Sequence, residues 1–331
     1  MTKKRSLNPF KRLRDLGFLG INARNGHYIQ SFNPRRFFSV VDNKLRTKEL
    51  ALAQGIQVPP LIHTVEIEKQ NRNLSNILSD HKSFVLKPAQ GCGGDGILVF
   101  EGKHQRHFVR SNGNLMTERE IMHHVSGILS GVYSLGGVAD RAYFEYRVTP
   151  HEFFDPISYR GVPDIRVIVF RGVPAMAMLR LPTRASDGKA NLHQGALGLG
   201  INLAEGTTLG AIARNQPIDA HPDTLTSLIN LQLPDWSAVL SLAVACDNLT
   251  DLAYIGVDIV IDQALGPMLL ELNARPGLSI QLCNQLGLLK PLEQIEQLSS
   301  IPPDTPSRVA LGQDISKQLR EERFSMPVKS I

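Results

Sequence analysis

The sequence lacks the features that mark secreted, membrane-spanning and zinc-finger proteins. Its 331 residues include three cysteines, and Cys92, Cys246 and Cys283 match no disulfide or metal-ligand spacing. No apolar run approaches the roughly 18 residues that a membrane-spanning helix needs, and no signal-peptide pattern opens the chain. Zinc-finger, helix-turn-helix and RNA-recognition signatures are also missing. We therefore expect a cytoplasmic protein that does not bind nucleic acid.

What the chain does contain is the composition of a globular protein with one large or two ordinary domains. Hydrophobic residues make up 42% of it and charged residues 20%. The net charge of +5 is unevenly spread, because Met1–Arg14 carries Lys3, Lys4, Arg5, Lys11, Arg12 and Arg14 and no acid. Leucines and phenylalanines interleave with these cations. Residues 1–36 are predicted as a basic arm, either solvated or in weak contact with the anionic inner face of a membrane.

The stretch FVLKPAQGCGGDGILVF, at 84–100, contains a complete G-x-G-x-x-G pattern. In a dinucleotide-binding turn a helix opens at the third glycine, whereas here a second apolar, strand-like run follows Gly96. The pattern therefore predicts a glycine flap between two strands. Backbone N–H groups without neighbouring Cβ atoms can approach phosphate oxygens closely, and Lys87 stands at the entrance of the loop. The alternative interpretation is a mobile hairpin tip.

Strand and helix patterns alternate without a regular βαβ repeat, which favours an α+β, or mixed α/β, fold. Helices are predicted at 45–54, 66–82, 116–130, 223–232, 235–251 and 279–289, and strands at 84–87, 97–102, 141–148, 164–170, 174–181, 254–262 and 267–273. Residues 182–221 are rich in glycine and asparagine and are predicted as a long loop, functional or disordered. His123 and His124 are interpreted as helix-surface residues.

A pair of carboxylates is predicted to meet across the last hairpin. If residues 263–266 form its loop and Asp262 opposes Pro267, then Asp258 falls directly opposite Glu271, with Asn273 on the same face. Facing carboxylates destabilise a ladder by a few tenths to about 1 kcal/mol unless something neutralises them. Hard oxygen ligands suit Mg²⁺, which often binds carboxylates together with substrate phosphates. A protonated carboxyl, or a pairing with Arg275, is the alternative.

Five segments together resemble the ATP-grasp superfamily, specifically its RimK-like α-L-glutamate ligase-related proteins. They are VDNKLRTKELALAQGIQVP, FVLKPAQGCGGDGI, GVPDIRVIVF, IGVDIVID and LLELNARPG, and the resemblance runs from about Gly20 to Leu289. The opening NARNGHYI and NPRR is also similar to ATP-grasp proteins linked to cell-surface sugar transfer. The resemblance implies two α+β subdomains that clasp a nucleotide: 37–141 with the glycine flap, and 142–292 with the metal site. A polar tail at 293–331 follows them.

The resemblance also implies roles for individual residues. Lys44 and Lys87 are similar to the phosphate-binding lysines, Gly91, Gly93, Gly94 and Gly96 to the lid, Glu145 and Tyr146 to the adenine hinge, and Asp164 to a ribose contact. The catalytic and substrate-binding residues that it implies are Arg166, Arg180, Lys189 and Asn191. Arg275, just past the metal ligands, is a further candidate that would bind a substrate carboxylate, and a salt bridge to Glu271 is its alternative role. Asp258, Glu271 and Asn273 correspond to the magnesium ligands, and Mn²⁺ is the alternative ion. Only 43 residues precede Lys44, so no full N-terminal Rossmann-like domain is expected.

The implied activity is ADP-forming ligation of a carboxylate to an amine through an acylphosphate, with ATP as the energy source. The partners are small-molecule or peptide substrates, with glutamate or another amino acid as the added group. A non-catalytic ATP-binding module and a ligase of cell-surface polysaccharide biosynthesis are the alternatives. A protein kinase is disfavoured because the chain has no HRD or DFG motif. The pattern leaves the oligomeric state open.

Overall fold

The computed structural model describes residues 9–91 and 93–325, which fall into two units. One unit comprises residues 39–149, and the other comprises residues 9–38 together with 150–325. Lys3, Lys4 and Arg5 of the predicted basic arm lie outside the described residues, as does Cys92 of the glycine loop. No helix in the described part of the chain has both the length and the apolar character needed to cross a membrane.

The helices, in chain order, are short except for the last. They are α1 (Pro9–Asp15), α2 (Ile21–Ala23), α3 (Gln30–Phe32), α4 (Phe38–Val41), α5 (Lys44–Ala53), α6 (Glu68–Asn71), α7 (Leu74–Asp80), α8 (Glu118–Leu129), α9 (Trp236–Ala245), α10 (Ile280–Asn284), α11 (Leu289–Glu296) and α12 (Thr305–Ser325). A π-helical turn covers Arg24–Ile29, and 3₁₀ turns cover Arg35–Phe37, Leu135–Gly137, Glu152–Ile157, Leu192–Gln194 and Cys246–Leu249.

The smaller unit is built on a six-stranded antiparallel sheet. Its strands are β1 (Leu61–Val65), β2 (Phe84–Pro88), β3 (Leu98–His104), β4 (His107–Arg110), β5 (Leu115–Met116) and β6 (Ala142–Glu145), in the spatial order β1-β6-β2-β3-β4-β5. One face buries phenylalanines 84, 100, 108 and 144 with the apolar sides of α7 and α8. The predicted strand–glycine loop–strand arrangement is confirmed, because β2 and β3 pair directly on either side of the loop.

Sequence signals fix the ends of two helices in this unit. Asn43 begins α5 by accepting a hydrogen bond from the Arg46 backbone N–H at 3.0 Å. Thr117 and Glu120 form a reciprocal capping box at the start of α8. Helix α5 packs on the second face of the sheet, where Leu45 contacts Ala89 and Tyr143. This packing places the lysines of α5 beside the sheet.

The larger unit contains a seven-stranded antiparallel sheet. Its strands are β7 (Asp164–Phe170), β8 (Val173–Leu181), β9 (Leu197–Ile201), β10 (Thr208–Ala213), β11 (Gln216–Ile218), β12 (Tyr254–Asp262) and β13 (Gly266–Asn273), in the order β11-β10-β9-β8-β7-β12-β13. Strands β7 and β12 are buried along their whole length. With helices packed on antiparallel sheets in both units, the predicted α+β class is confirmed.

Two sequence predictions in this unit are wrong. Residues 182–221 are not structureless, because they contain β9, β10 and β11. Residues 223–232 form turns rather than a helix, since Leu225 and Asn230 adopt the left-handed backbone conformation, with φ of +61° and +55°. The polar segment after residue 300 contains the long helix α12, and Gly312 lets it approach β8 closely: a Cβ there would lie 2.3 Å from the Pro174 carbonyl oxygen.

Candidate active site

In the smaller unit, one glutamate holds two lysines in a buried ionic cluster. Glu145 on β6 and Lys87 on β2 project from the same face of the sheet, because their register partners are Val85 and Tyr143. Lys87 Nζ forms an ion pair with Glu145 Oε1, and Lys48 Nζ, from α5, lies 2.8 Å from Glu145 Oε2. We call these three residues the lysine–glutamate cluster. It contains two cations and one anion, so it carries one net positive charge.

Burial sets the electrostatics of this cluster. Desolvation raises the pKa of the Glu145 carboxyl, but the charges of Lys87 and Lys48 outweigh it and hold that pKa below its ordinary value. Desolvation lowers the pKa of Lys48, and the Glu145 carboxylate opposes it only in part. Lys48 Nζ also donates to the carbonyl oxygen of Pro59 at 2.5 Å. An incoming anion would balance the positive charge that remains.

Lys48 is a residue that sequence reasoning missed. The motif DNKLRTK contains both Lys44 and Lys48, four residues apart on one helix face. The resemblance directed attention to Lys44, whose Nζ donates to the carbonyl oxygen of Gly91 at 3.2 Å. Lys44 therefore contacts the entrance of the glycine loop, while Lys48 shares a carboxylate with Lys87. Only the packing of α5 on the sheet distinguishes the two.

In the expected adenine hinge, a backbone N–H group that could bind adenine already forms a hydrogen bond within the protein. The Tyr146 N–H donates to the Pro60 carbonyl oxygen at 2.8 Å. The Glu145 side chain is committed to the two lysines. The hinge role of both residues stays a prediction.

The glycine loop is fastened at its ends and open at its tip. Gly91 forms a β-bridge with Ser134, and the carboxylate of Asp140 accepts from Ser134 Oγ at 2.9 Å and from Gln90 N at 2.9 Å. Gly93 and Gly94 have φ of +66° and +86°, and a Cβ on either would meet no atom within 4 Å. Such a tip can move without breaking packed contacts.

The far end of this loop is held by His124, which corrects the interpretation of that residue as a surface histidine. Its Nε2 lies 2.8 Å from the Gly96 carbonyl oxygen, and its Nδ1 lies 3.2 Å from the Tyr133 hydroxyl oxygen. Both contacts are satisfied when Nε2 carries the proton and Nδ1 accepts from the tyrosine. Burial lowers the pKa of His124, although its bond to Gly96 acts in the opposite direction. His123, its neighbour, is exposed.

In the larger unit, acids and arginines from three adjacent strands form a second buried group, the arginine–carboxylate network. Asp164 pairs with Arg180 across β7 and β8, and Arg166 lies opposite Asp258 across β7 and β12. Arg166 binds Asp258 in a bidentate manner, with Nε–Oδ1 and Nη2–Oδ2 distances of 2.7 and 2.5 Å. Such two-point contacts are among the strongest ion pairs in proteins.

Arg180 bridges the two aspartates. Its guanidinium binds both carboxylate oxygens of Asp164, and its Nη2 lies 2.7 Å from Asp258 Oδ2. Although burial raises the pKa of Asp258, the neighbouring Arg166 and Arg180 charges hold it well below the ordinary aspartate value. Burial raises the pKa of Asp164 to about 7, with the Asp258 charge acting in the same direction and Arg180 against it. Burial lowers the pKa of Arg180, but the charges of the two aspartates outweigh burial and raise that pKa above its ordinary value. Arg180 therefore stays charged.

Asp258 and Glu271 are directly opposite each other, as predicted, but the register that places them there differs from the predicted one. The hairpin pairs Asp262 with Gly266 and Ile259 with Leu269, one residue out of the expected alignment. A β-bulge at Leu270 then restores the alignment at Asp258. Asn273 Nδ2 donates to Asp258 Oδ2 at 3.1 Å. The three expected metal ligands are therefore adjacent.

Asp258 is neutralised by arginines of neighbouring strands, which the sequence had not indicated. Between residues 9 and 325, with Cys92 excepted, no three His, Cys, Asp or Glu side chains are grouped to hold a metal ion. The expected set differs from such a group because it combines two carboxylates with an amide. Its donor atoms are all hard oxygens, which is the chemistry that magnesium prefers. A cation there would share Asp258 with Arg166 and Arg180.

Two of the remaining expected residues, Lys189 and Asn191, form no side-chain hydrogen bond or ion pair with either group in the described part of the chain. The Asn191 side chain accepts from the His193 N–H at 3.0 Å and begins a 3₁₀ turn, and Lys189 is exposed. The Arg275 guanidinium lies 5.0 Å from the ring centroid of Phe38. Their substrate-binding roles stay predictions.

Comparison with known proteins gives a family match and several distant structural relatives. A family model described as sugar-transfer associated ATP-grasp matches residues 23–297. No curated protein matches the sequence. Among solved structures, the chain is similar to D-cycloserine synthetase DcsG, with 14% identity over 87% of this chain and 73% of that one, at a TM-score of 0.44.

Two further solved structures are D-alanyl-alanine synthetase A from Vibrio cholerae O1 biovar eltor str. N16961 and the D-alanine-D-alanine ligase from Coxiella burnetii. The first has 10% identity over 85% of this chain and 66% of that one, at a TM-score of 0.45. The second has 15% identity over 86% of this chain and 60% of that one, at a TM-score of 0.42. The chain thus spans less than two thirds of the length of either protein.

Proposed function

Because the chain belongs to the sugar-transfer associated ATP-grasp family, we propose that it is an ATP-dependent ligase that joins a carboxylate to an amine. The observation that carries this proposal is the extent of the family match. Residues 23–297 include both the lysine–glutamate cluster and the arginine–carboxylate network. The match also confirms the expected ATP-grasp superfamily and fold.

The chemistry of the reaction explains why such a protein needs many buried cations. A carboxylate does not react with an amine at neutral pH, because oxide is a prohibitive leaving group. Transfer of the ATP γ-phosphoryl group to a carboxylate oxygen gives an acylphosphate and ADP. The amine nitrogen then attacks the acyl carbon, phosphate leaves with the bonding electron pair, and the amine loses a proton. Catalysis consists mainly of positioning and of stabilising developing negative charge.

In this proposal the lysine–glutamate cluster binds the phosphates of ATP. Glu145 restrains the ammonium groups of Lys87 and Lys48, and this lowers the entropy that is lost when they meet an anion. The net positive charge of the cluster supplies the attraction. Lys44 and the open tip at Gly93 and Gly94 act beside it, with the backbone N–H groups of the loop facing phosphate oxygens.

The arginine–carboxylate network serves the other half of the reaction. Arg166 and Arg180 are fully charged and fixed by two aspartates, so they offer guanidinium groups that need little reorganisation. Asp258, Glu271 and Asn273 would hold a magnesium ion. When bound, the ion would withdraw charge from the phosphate oxygens. Arg275, at the exposed end of the same segment, is the proposed contact for a substrate carboxylate.

The family description associates its members with sugar transfer, and a ligase of cell-surface polysaccharide biosynthesis is therefore the second candidate. The added group in either case is glutamate or another amino acid. The two candidates differ in the acceptor, which is an amino acid or peptide in the first and an amino sugar in the second.

The test is ADP release, measured with the full chain, ATP and magnesium against pools of amino acids, dipeptides and amino sugars. The proposal predicts ADP that depends on an acid and an amine supplied together. The pool that supplies the amine separates the two candidates. ADP release in no pool, combined with tight Mg–ATP binding, would overturn ligation in favour of a non-catalytic ATP-binding module. Lys87→Met removes one cation of the lysine–glutamate cluster, and as the negative control it should abolish ADP release.

A further inference from the structure

Two loops of the larger unit meet at one end of the β7–β8 hairpin. Residues 158–163 lead into β7, and residues 182–190 follow the end of β8. The Tyr159 N–H donates to the Pro182 carbonyl oxygen at 3.2 Å. A Cβ placed on Gly161 would lie 1.8 Å from the Gly188 carbonyl oxygen, so the two backbones touch with no room for a side chain. The loops are therefore held together main chain to main chain.

This contact brings two arginines to one aromatic ring. The guanidinium carbons of Arg160 and Arg184 lie 5.4 and 5.2 Å from the ring centroid of Tyr159, within the range of cation–π contacts. Both arginines are exposed. Among residues 9–91 and 93–325, no carboxylate forms an ion pair with either guanidinium. The nearby Asp223 carboxylate accepts from the Arg184 backbone N–H at 2.7 Å.

The stability of the loops does not account for this arrangement. Two like charges at one ring repel each other, and one arginine would suffice for a cation–π contact. The backbone is also strained: Arg160 and Asp187 have φ of +51° and +52°, in the left-handed region that residues with side chains disfavour. Backbone strain of this kind concentrates at ligand-binding and catalytic sites. A ligand with negative charge would relieve the repulsion between the arginines.

We propose that Arg160, Tyr159 and Arg184 form an oxyanion-binding subsite for a phosphate or carboxylate group of the acceptor substrate. We call it the arginine subsite, and its assignment to the acceptor rests on the proposed ligase function. Guanidinium groups match both oxyanions in a two-point geometry, and the cation–π contacts with Tyr159 restrain the two arginines before the ligand arrives.

The position of the subsite supports this assignment. Both loops extend from the end of the hairpin at which Asp164 pairs with Arg180. An acceptor held by its oxyanion at the arginine subsite can therefore extend along the hairpin end toward the arginine–carboxylate network. The acceptor class that fits is an amine that also carries a phosphate or a carboxylate, such as an amino acid, a peptide or a phosphorylated amino sugar.

The test is calorimetric titration of the full chain, without nucleotide, with inorganic phosphate and separately with acetate. Arg160→Gln and Arg184→Gln are the test variants. Arg214→Gln is the matched control, because Arg214 is an exposed arginine of the same unit with a comparable φ of +48°. Anion affinity should fall roughly tenfold or more in each test variant, as expected for a lost contact to a charged group. It should be unchanged in the control, and the probe that binds more tightly identifies the class of oxyanion.

Mg–ATP binding by the same variants separates the two sources of an oxyanion. The inference predicts an unchanged Mg–ATP dissociation constant. A parallel loss of Mg–ATP affinity would assign the arginines to the nucleotide phosphates and overturn the acceptor assignment. The inference also fails if neither anion binds, or if both test variants bind as the wild type does. If the wild-type chain releases no ADP in any pool but both variants lose phosphate binding, the ligase function is contradicted. The assignment of an oxyanion site to the two arginines would still stand.

Discussion

Asp258 and Glu271 face each other across β12 and β13 because a bulge at Leu270 compensates for a hairpin that is shifted by one residue. Asp258 is fully buried; its Oδ1 accepts from Arg166, and its Oδ2 accepts from both Arg166 and Arg180. The repulsion between the two carboxylates that the sequence suggested is therefore offset by the positive charges of Arg166 and Arg180, without a bound cation. This changes what the removal of one carboxylate does to the folded protein.

Asp258→Asn should destabilise the protein by about 3–5 kcal/mol, because it leaves two buried guanidinium groups without their shared carboxylate. Denaturant unfolding in the absence of nucleotide measures the loss. Glu271→Gln is the control, and it should cost about 1 kcal/mol or less, since Glu271 is only partly buried. A neutral or stabilising effect of Asp258→Asn would show that repulsion between the carboxylates dominates the network.

Lys48→Met should weaken ATP binding and leave adenosine binding nearly unchanged. The substitution removes one charge from the lysine–glutamate cluster, so its net charge falls to zero. A lost contact between a charged group and phosphate costs about 1.5–3 kcal/mol, or roughly tenfold or more in affinity. Titration with the two ligands gives the comparison.

Two further variants control the Lys48 experiment. Lys48→Arg keeps the charge and should retain most of the preference for ATP over adenosine. Lys69→Met removes an exposed lysine of the same unit and should change neither affinity. Should Lys48→Met lower both affinities equally, Lys48 would be a structural partner of Glu145 with no part in phosphate binding.

The pH dependence of stability should reflect the two shifted groups of the same cluster. The folded-state pKa of Glu145 lies below 4.5, so its contribution is fully present above that value and is lost as pH falls through the folded-state pKa. The pKa of Lys48 is lowered from 10.5, so the folded state becomes relatively more stable as pH rises toward 10.5. Unfolding free energies measured across pH should therefore decline on the acid side.

Glu145→Gln should show a smaller decline in acid, from a lower starting stability, because two buried lysines lose their partner. Where that variant is too unstable, a carbon-13 NMR titration of the Glu145 carboxyl in the wild-type protein gives the pKa directly. A midpoint at or above the ordinary glutamate value would contradict the assignment of Glu145 as the anion of the cluster.

The glycine loop predicts a contrast between two alanine substitutions. Gly94→Ala meets no atom within 4 Å, so only the left-handed backbone opposes it, by about 1–2 kcal/mol. Gly96→Ala faces the same backbone term, and its Cβ would lie 2.6 Å from the Tyr133 ring. Gly96→Ala should be the more destabilising of the two in denaturant unfolding. Equal losses of stability would mean that the contacts with Tyr133 and His124 do not hold this end of the loop in place.

Local sequence patterns were sufficient where neighbours in the chain determine the structure. The strands on either side of Gly91–Gly96 follow from apolar runs interrupted by glycine, and the Asp258–Glu271 pair follows from hairpin counting. In the second case a missed bulge cancelled an error of one residue in the loop. Nothing in the run PMLLELN distinguishes the bulged residue from its neighbours.

Contacts between distant segments could not be predicted. The pairing of Lys48 with Glu145 requires α5 to pack on the sheet, and the pairing of Arg166 with Asp258 requires β7 to lie beside β12. Strand β9, LGLGI, resembles a loop because of its glycines. Those glycines accommodate α10, since a Cβ on Gly200 would lie 2.3 Å from the Cys283 carbonyl oxygen. Tertiary packing, rather than turn formation, explains that composition.

The central claim, an acylphosphate formed from ATP and a carboxylate, is tested most directly with amino acids labelled with oxygen-18 in their carboxyl groups. The acid pool that supports ADP release is supplied in labelled form with its amine, and the released phosphate is analysed by mass spectrometry. The account predicts one labelled oxygen in each phosphate, because the bond between the acyl carbon and that oxygen breaks when the amine attacks. Phosphate without label, released with ADP at the same rate, would show that ATP is hydrolysed by water and would contradict the ligase.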